Sequence, residues 1–273
     1  MAPTLNIVGG GKVGRVLGRL FADHGAFTVQ DVLTRSKGSA MEAAGFIGAG
    51  NSVAEMASMR TADVWMLAVT DDQIGPACDQ LAQLQALSGA VVFHCSGARS
   101  SAELQAAAVT GAATASVHPV RSFADPEYVA GHFAGTFCGV EGDARALGML
   151  EPALAAIGAQ AVPINAAAKT VYHAASVFAS NYLVTVMDAA LRAYQAAGIS
   201  EETARALAAP LATETLANVL RLGPAAALTG PIARGDMDTV ARQQDALDAW
   251  DGEAGALYRA LAQATLGLAQ RGK

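Results

Sequence analysis

The segment Gly9-Gly10-Gly11-Lys12-Val13-Gly14 constrains this chain more than any other feature. It follows a short apolar run, Leu5-Asn6-Ile7-Val8, and leads into Val13, Val16, Leu17 and Leu20 at helical spacing. A strand that turns into a helix through glycines at these positions is built to cradle a pyrophosphate. The first glycine permits the tight turn, the second lets a phosphate approach the backbone, and the third lets the helix pack closely on the strand. The free N–H groups of the first helical turn then face the phosphates. Gly9, Gly11, Lys12, Val13 and Gly14 are therefore the expected dinucleotide contacts.

The end of the next apolar run selects the dinucleotide. Thr28 to Thr34 reads as a strand, and it ends in Arg35-Ser36-Lys37. An acid at this place would bind a ribose 2′-hydroxyl, whereas two cations and a hydroxyl suit a 2′-phosphate. Asp31 falls inside the strand, too early for that role. The expectation is NADP. After a third clear run, Asp63 to Val69, Val69 and Thr70 are expected beside the cofactor.

Short apolar runs alternate with alanine-rich helical patterns over the first 164 residues, which implies βαβ units and a mostly parallel sheet. Further strands are expected at Ala90–His94, Thr114–Val117, Gly135–Val140 and Gln160–Ile164, with a weak one at Phe46-Ile47-Gly48. After Ile164 the pattern is helical. Ala166 to Ala197 reads as one long helix stopped by Gly198. Ser200 caps a second, which Pro210 is expected to kink or break. Gly223 to Gly235 reads as a loop, and helices are expected over Asp236–Leu247 and Glu253–Gln270. The division predicted is a dinucleotide-binding domain, residues 1–164, and a helical substrate and dimerisation domain, residues 165–273.

Composition excludes other classes. Apolar residues make up 52% and charged residues 15%, which rules out global disorder. Net charge is 18 − 24 = −6 with no basic run, so nucleic acid is not an expected partner. Thr170–Met187 lacks formal charge but carries His173, Ser176, Ser180, Asn181 and Thr185, which suits a buried helix better than a lipid span. No basic leader precedes the first strand, and the three cysteines (Cys78, Cys95, Cys138) lack metal-like spacing. A cytoplasmic protein with reduced thiols and no metal site is expected. The alanine-rich helical part has more apolar surface than one contact with a sheet domain would cover, so a homodimer is expected.

Ligands of parallel sheets sit beyond the carboxyl ends of the strands. Two such ends carry Ser96, in His94-Cys95-Ser96-Gly97, and His118, in Ser116-Val117-His118-Pro119. At 100° per residue, Lys169, Tyr172, His173, Ser176 and Ser180 share one stripe of the long helix. Lys169 can protonate the alkoxide left by hydride transfer to a carbonyl, with His173 one turn on to orient the carbonyl. Arg234, in Leu228-Thr229-Gly230-Pro231-Ile232-Ala233-Arg234-Gly235-Asp236, can clamp a substrate carboxylate. Structural roles stand beside these: His118 as a turn residue before Pro119, Lys169 as a seam residue, Asp236 as a helix cap.

Together these motifs resemble the Rossmann-like proteins with a DUF2520 C-terminal domain, within the 6-phosphogluconate dehydrogenase-like superfamily. The resemblance spans nearly the whole chain and is most specific at Tyr172-His173, Ser180-Asn181 and Leu228 to Asp236. It implies an α/β fold, an N-terminal Rossmann doubly wound sheet followed by an all-helical domain. More distant relatives are ketopantoate reductase, pyrroline-5-carboxylate reductase and the 3-hydroxyisobutyrate dehydrogenases. The implied activity is NADPH-dependent reduction of a small 2-oxo acid, with ketopantoate the leading guess. Imine reduction and a non-catalytic NADP-binding sensor are the alternatives. Lys169 matches the helix lysine of the hydroxyacid dehydrogenases. His173 stands where they carry asparagine, and Asn181, at a different spacing, remains a candidate.

Overall fold

A computed structural model describes residues 1–271. The chain divides into two compact units, Met1–Ser180 and Asn181–Lys273. The break expected at 164/165 thus lies sixteen residues later, because the start of the helical segment is counted with the sheet.

In the first unit the elements run β1 (Thr4–Val8), α1 (Lys12–Asp23), β2 (Thr28–Leu33), α2 (Lys37–Ile47), β3 (Asn51–Val53), β4 (Val64–Leu67), α3 (Ile74–Leu84), β5 (Val91–His94), α4 (Gln105–Val109), β6 (Ala113–Pro119), α5 (Pro126–Gly131), β7 (Phe137–Gly142), α6 (Ala144–Ala156), β8 (Gln160–Pro163) and α7 (Lys169–Ala179). One sheet has the order β3-β2-β1-β4-β5-β6-β7-β8. β1 to β6 are parallel, and β7 reverses against β6. The direction of winding changes between β1 and β4, the crevice where such sheets bind ligands.

The central strands β1, β4, β5 and β6 are buried on both faces, as parallel strands covered by helices must be, whereas edge strand β3 is partly and edge strand β8 largely exposed. Leu5, Ile7, Val64, Met66, Val91 and Phe93 pack with Val16, Leu17 and Phe21 of α1 on one face. Trp65, Leu67 and Val92 pack with Ile74, Cys78 and Leu81 of α3 on the other. Asp31 is inside β2, buried, and bonded to Arg60 Nη2 at 2.7 Å. Burial alone would raise its pKa, but the Arg60 hydrogen bonds and charge outweigh this and hold it below the usual carboxylate value.

Several expectations need correction. Phe46-Ile47 closes α2 and is not a strand. Ile47 is buried on the helix face, and Gly48 ends the helix in the left-handed conformation at φ 77°. The third strand is Asn51–Val53. The long helix is two helices, since Ser180 leaves helical geometry (φ −128°, ψ −74°). Nor is the segment buried: Val171 is 75% and Val184 69% exposed. Apolar spacing records that a face is to be covered and is silent on what covers it. Residues 166–196 are long and apolar enough to cross a membrane by length and composition alone. Against that stand the Ser180 break and the enclosed charge of Lys169.

The second unit comprises α8 (Asn181–Ala196), α9 (Glu201–Leu222), α10 (Pro224–Ala227), α11 (Pro231–Arg234), α12 (Met237–Trp250) and α13 (Gly252–Arg271). Ser200 caps α9 as expected, its hydroxyl accepting from Thr203 N at 3.2 Å. Pro210 does not break α9. It removes one backbone donor, and the turns on both sides carry the helix past it. The expected loop at 223–235 holds two one-turn helices, each begun by a proline.

Candidate functional site

The glycine turn joins β1 to α1. Gly9 has φ 106°, and a Cβ there would collide with the Ala68 carbonyl after β4. A Cβ on Gly14 would lie 2.5 Å from Gly9 O and 2.8 Å from Ala68 Cβ, so the close packing of helix on strand requires glycine. A Cβ on Gly11 would meet nothing within 4 Å, because its outer side is open. The turn is thus a cradle with one open side, which fits a pyrophosphate. Arg15 steadies it by donating to Gly10 O through Nε (3.1 Å) and Nη2 (2.8 Å).

The turn forms one wall of a cleft of about 580 Å³, lined also by Lys12, Val13, Val69, Thr70, Asp71, Cys95, Ser96, Gly97, His118, Arg121, Phe123 and His173. Lys12 spans to the loop after β6, donating to Ala124 O at 2.8 Å. Arg35, Ser36 and Lys37 are exposed at the carboxyl end of β2 and do not line this cleft. Ser36 caps α2, its hydroxyl accepting from Ser39 N at 3.2 Å.

Ser96 holds the loop after β5. Its hydroxyl accepts from Ala98 N (3.1 Å) and Arg99 N (2.9 Å), which leaves its proton for a ligand. Behind it, His94 is buried. Its Nδ1 accepts from Ser96 N at 3.1 Å, so its proton sits on Nε2 and goes to Ser100 O at 3.0 Å. Burial first, and the Lys169 charge after it, push the His94 pKa down to about 4, so the ring is a neutral brace.

Two imidazoles close over Gly97. A Cβ on Gly97 would collide with His173 Nδ1 and fall 2.7 Å from His118 Nε2. The rings stand edge to face with centroids 5.5 Å apart. His118 Nδ1 pairs with the Tyr172 hydroxyl at 2.9 Å. Burial, then the neighbouring His173 ring and the Lys169 ammonium, lower the His118 pKa to about 4. His173 Nδ1 is buried and makes no hydrogen bond.

Lys169 is on the protein side of α7, as its expected role required, but deeper than expected. It is 1% exposed and does not line the cleft. Its ammonium donates to Ser116 Oγ in β6 and lies 3.4 Å from Glu141 Oε1 in β7. Ser116 Oγ passes its proton to Ser96 O at 3.3 Å. Glu141 accepts from Ser101 N (2.8 Å) and Ser101 Oγ (2.7 Å). Burial lowers the Lys169 pKa, partly offset by Glu141. The pair ties α7, β6, β7 and the loop after β5 together beneath the two histidines.

Asn181 and Arg234 are exposed residues of the second unit, the one beginning α8 and the other ending α11. Asp236 is a helix cap, accepting from Thr239 N at 3.1 Å. Burial raises Cys95 and Cys138 to about 12, so neither is a thiolate. No cluster of three metal-ligating side chains occurs among the described residues. Glu141, Ser116 and Arg121 were not foreseen. The only local signal for Glu141 is an acid inside an apolar strand, Phe137-Cys138-Gly139-Val140-Glu141.

Residues 3–119 match the model of a Rossmann-like domain, and residues 136–265 that of DUF2520, a domain of unknown function. The chain is similar to protein TM1727 from Thermotoga maritima, with 27% identity over 98% of each chain and a TM-score of 0.73. It is also similar to BF3122 from Bacteroides fragilis, a candidate NADP oxidoreductase, with 18% identity over 97% of this chain and 98% of that one and a TM-score of 0.82. A pyrroline-5-carboxylate reductase from Coxiella burnetii shares 16% identity over 100% of this chain and 99% of that one, with a TM-score of 0.59. No curated protein matches the sequence.

Proposed function

We infer that this chain, which joins a Rossmann-like domain to a DUF2520 domain, is an NADPH-dependent reductase of a small 2-oxo acid. The observation that carries the reading is the sharing of one cleft by the open glycine cradle and the His118–His173 pair over Gly97. Gly9, Gly11, Gly14, Lys12 and Val13 would hold the pyrophosphate, and Val69 and Thr70 would flank the nicotinamide. Arg35 and Lys37 would take the 2′-phosphate, beside the Ser36 cap. A bound reduced nicotinamide supplies the hydride.

The protein supplies orientation and hydrogen-bonding groups. His173, which lines the cleft, would orient the substrate oxygen, and His118, braced by Tyr172, would stand beside it. Lys169, the proton donor expected from the sequence, is enclosed and acts from below. It fixes Ser116 and, through it, the Ser96 carbonyl, and its charge favours neutral imidazoles at His94 and His118. Proton donation by Lys169 itself requires that its ammonium leave Glu141 and reach the cleft.

Ketopantoate is the first substrate to try. The likeness to a pyrroline-5-carboxylate reductase makes a cyclic imine the second reading, since His173 can serve a ring nitrogen as it serves an oxygen. The reading includes a cytoplasmic homodimer formed through the helical unit. It is tested by following NADPH absorbance against ketopantoate, simpler 2-oxo acids and 1-pyrroline-5-carboxylate. Turnover of a 2-oxo acid supports the first reading, and turnover of the imine alone supports the second. Stoichiometric NADPH binding without any turnover overturns both in favour of a sensor.

A further inference from the structure

We propose that Arg121 is the anion-reading residue of the cleft and that the substrate is held there by its carboxylate. The proposal rests on the reductase reading and names the residue that would select the acid.

Arg121 lies just beyond β6, three residues after His118. Its chain is fixed on both sides, with Val120 N donating to Phe137 O (2.8 Å) and Arg121 N to Pro119 O (3.0 Å). The side chain lines the cleft and is half-buried. Nη1 donates to Thr136 Oγ1 at 3.0 Å, and the buried Thr136 hydroxyl gives its own proton to Phe133 O at 2.5 Å. That hydroxyl is therefore fixed as an acceptor towards Arg121 and holds the guanidinium from behind. A guanidinium carries five N–H donors. Only this one side-chain bond is made, and no carboxylate pairs with Arg121 among the described residues. A half-buried cation whose fork is not spent on the protein matches a planar carboxylate in geometry and charge.

Its place across the sheet separates this anion from the cofactor's. In the order β1-β4-β5-β6-β7, the glycine turn follows β1, Val69 and Thr70 follow β4, Ser96 and Gly97 follow β5, and His118 is in β6. Thr136, which holds Arg121, precedes β7. Strands lie about 4.8 Å apart, so the turn and the Arg121 anchor are separated by roughly 19 Å of sheet. The other charged residues of the cleft serve less well. Lys12 is engaged with Ala124 O on the cofactor side, and Asp71, after β4, would repel an anion there. Arg121, His118 and His173 line the same cleft, so a carboxylate on Arg121 would bring the carbon next to it towards the two rings. That is the connectivity of a 2-oxo acid, whereas in 1-pyrroline-5-carboxylate the carbon next to the carboxylate bears the imine nitrogen and the reacting carbon lies beyond it.

The test uses the whole protein and an inert probe. Oxamate carries a carboxylate beside an amide and accepts no hydride, and oxamide is its neutral counterpart. With NADPH bound, the wild type should bind oxamate and not oxamide by calorimetry. Arg121→Gln should weaken oxamate about 10- to 100-fold, the worth of a charged hydrogen bond, and Arg121→Lys should restore part of it. NADPH affinity and the thermal midpoint should stay unchanged in both variants. Equal oxamate binding by wild type and Arg121→Gln overturns the proposal. So does a wild type that binds NADPH but not oxamate. Weakened NADPH binding in Arg121→Gln would give the residue to a cofactor phosphate and also overturn it. A wild type that does not bind NADPH at all defeats the reductase reading itself.

Discussion

The two units solve the same burial problem differently. The sheet unit closes its core with its own helices, and Leu5, Ile7, Trp65, Met66, Leu67, Val92 and Phe93 are all fully buried. The helical unit buries few side chains, Ala204, Ala208, Val240 and Ala254 among them. Along α9 it exposes Leu207 and Leu211 on one face and Leu216 and Leu220, the last 79% exposed, on the other. An apolar groove of about 460 Å³ runs between α8, α12 and α13, lined by Ala189, Ala193, Leu247, Leu257 and Leu261. A parallel sheet carries its cover with it, since every crossover helix must return over a face. A set of helices has no such rule and can leave its apolar faces for another chain.

The largest effect should come from the polar centre of the sheet unit. Lys169→Met leaves Glu141 as an unpaired buried charge, and the expected loss is about 3–5 kcal/mol in urea unfolding. Adding Glu141→Gln should recover much of it. A single variant as stable as wild type would mean that water reaches the pair. If Lys169 leaves the pair to act as the acid, Lys169→Ala should also cut turnover by roughly 10²–10⁴.

Acid should weaken the sheet unit next. His94 titrates at about 4 when folded, against about 6.5 when unfolded. The unfolded state therefore binds more protons between these values, and stability falls as pH drops from 6.5 towards 4. The loss from His94 alone is about 2 kcal/mol by pH 5 and about 3 kcal/mol by pH 4. His118, shifted the same way, adds to it. Unfolding midpoints flat over this range would contradict the buried neutral rings.

The helical unit gives the sharpest way to break the comparison. If α9 is covered by a second copy, Leu220→Ser should cost about 1.5–3 kcal/mol of dimer stability for each covered leucine. If it faces water, the change should stay within about 0.5 kcal/mol. Light scattering of the wild type at micromolar concentration should give twice the chain mass, and a monomer would end the homodimer reading.

The smallest effect concerns the cofactor. Arg35→Ala should weaken NADP binding by about 1–3 kcal/mol and leave NAD unchanged, for a lost charged hydrogen bond. Equal affinities of the wild type for NADP and NAD would remove the argument from Arg35-Ser36-Lys37.

Much of the sheet unit was legible because its signals are local. The glycine turn needs six consecutive residues, and strands buried on both faces show as continuous apolar runs. Asp31 could be set aside as a cofactor ligand from its place in the strand alone, and the structure pairs it with Arg60. Local signals failed where two conformations share one pattern. Phe46-Ile47 is apolar enough for a strand and belongs to α2, because Ile47 completes the helix face with Ala40 and Ala43.

Sequence alone determined the alternation of strand and helix, the phosphate cradle, the cationic end of β2 and the polar stripe that begins at Lys169. Tertiary structure decided which of these residues meet. Lys169 lies 53 residues from Ser116 and 28 from Glu141, and no periodicity links them. Arg121 is held by Thr136 only because β7 turns back against β6. His118 and His173 converge because Gly97, from a third element, leaves room for both rings. Spacing along a chain specifies which face a residue shares, a property of one element. Burial, pairing and proton position belong to the space between elements, which is set when the sheet orders its strands.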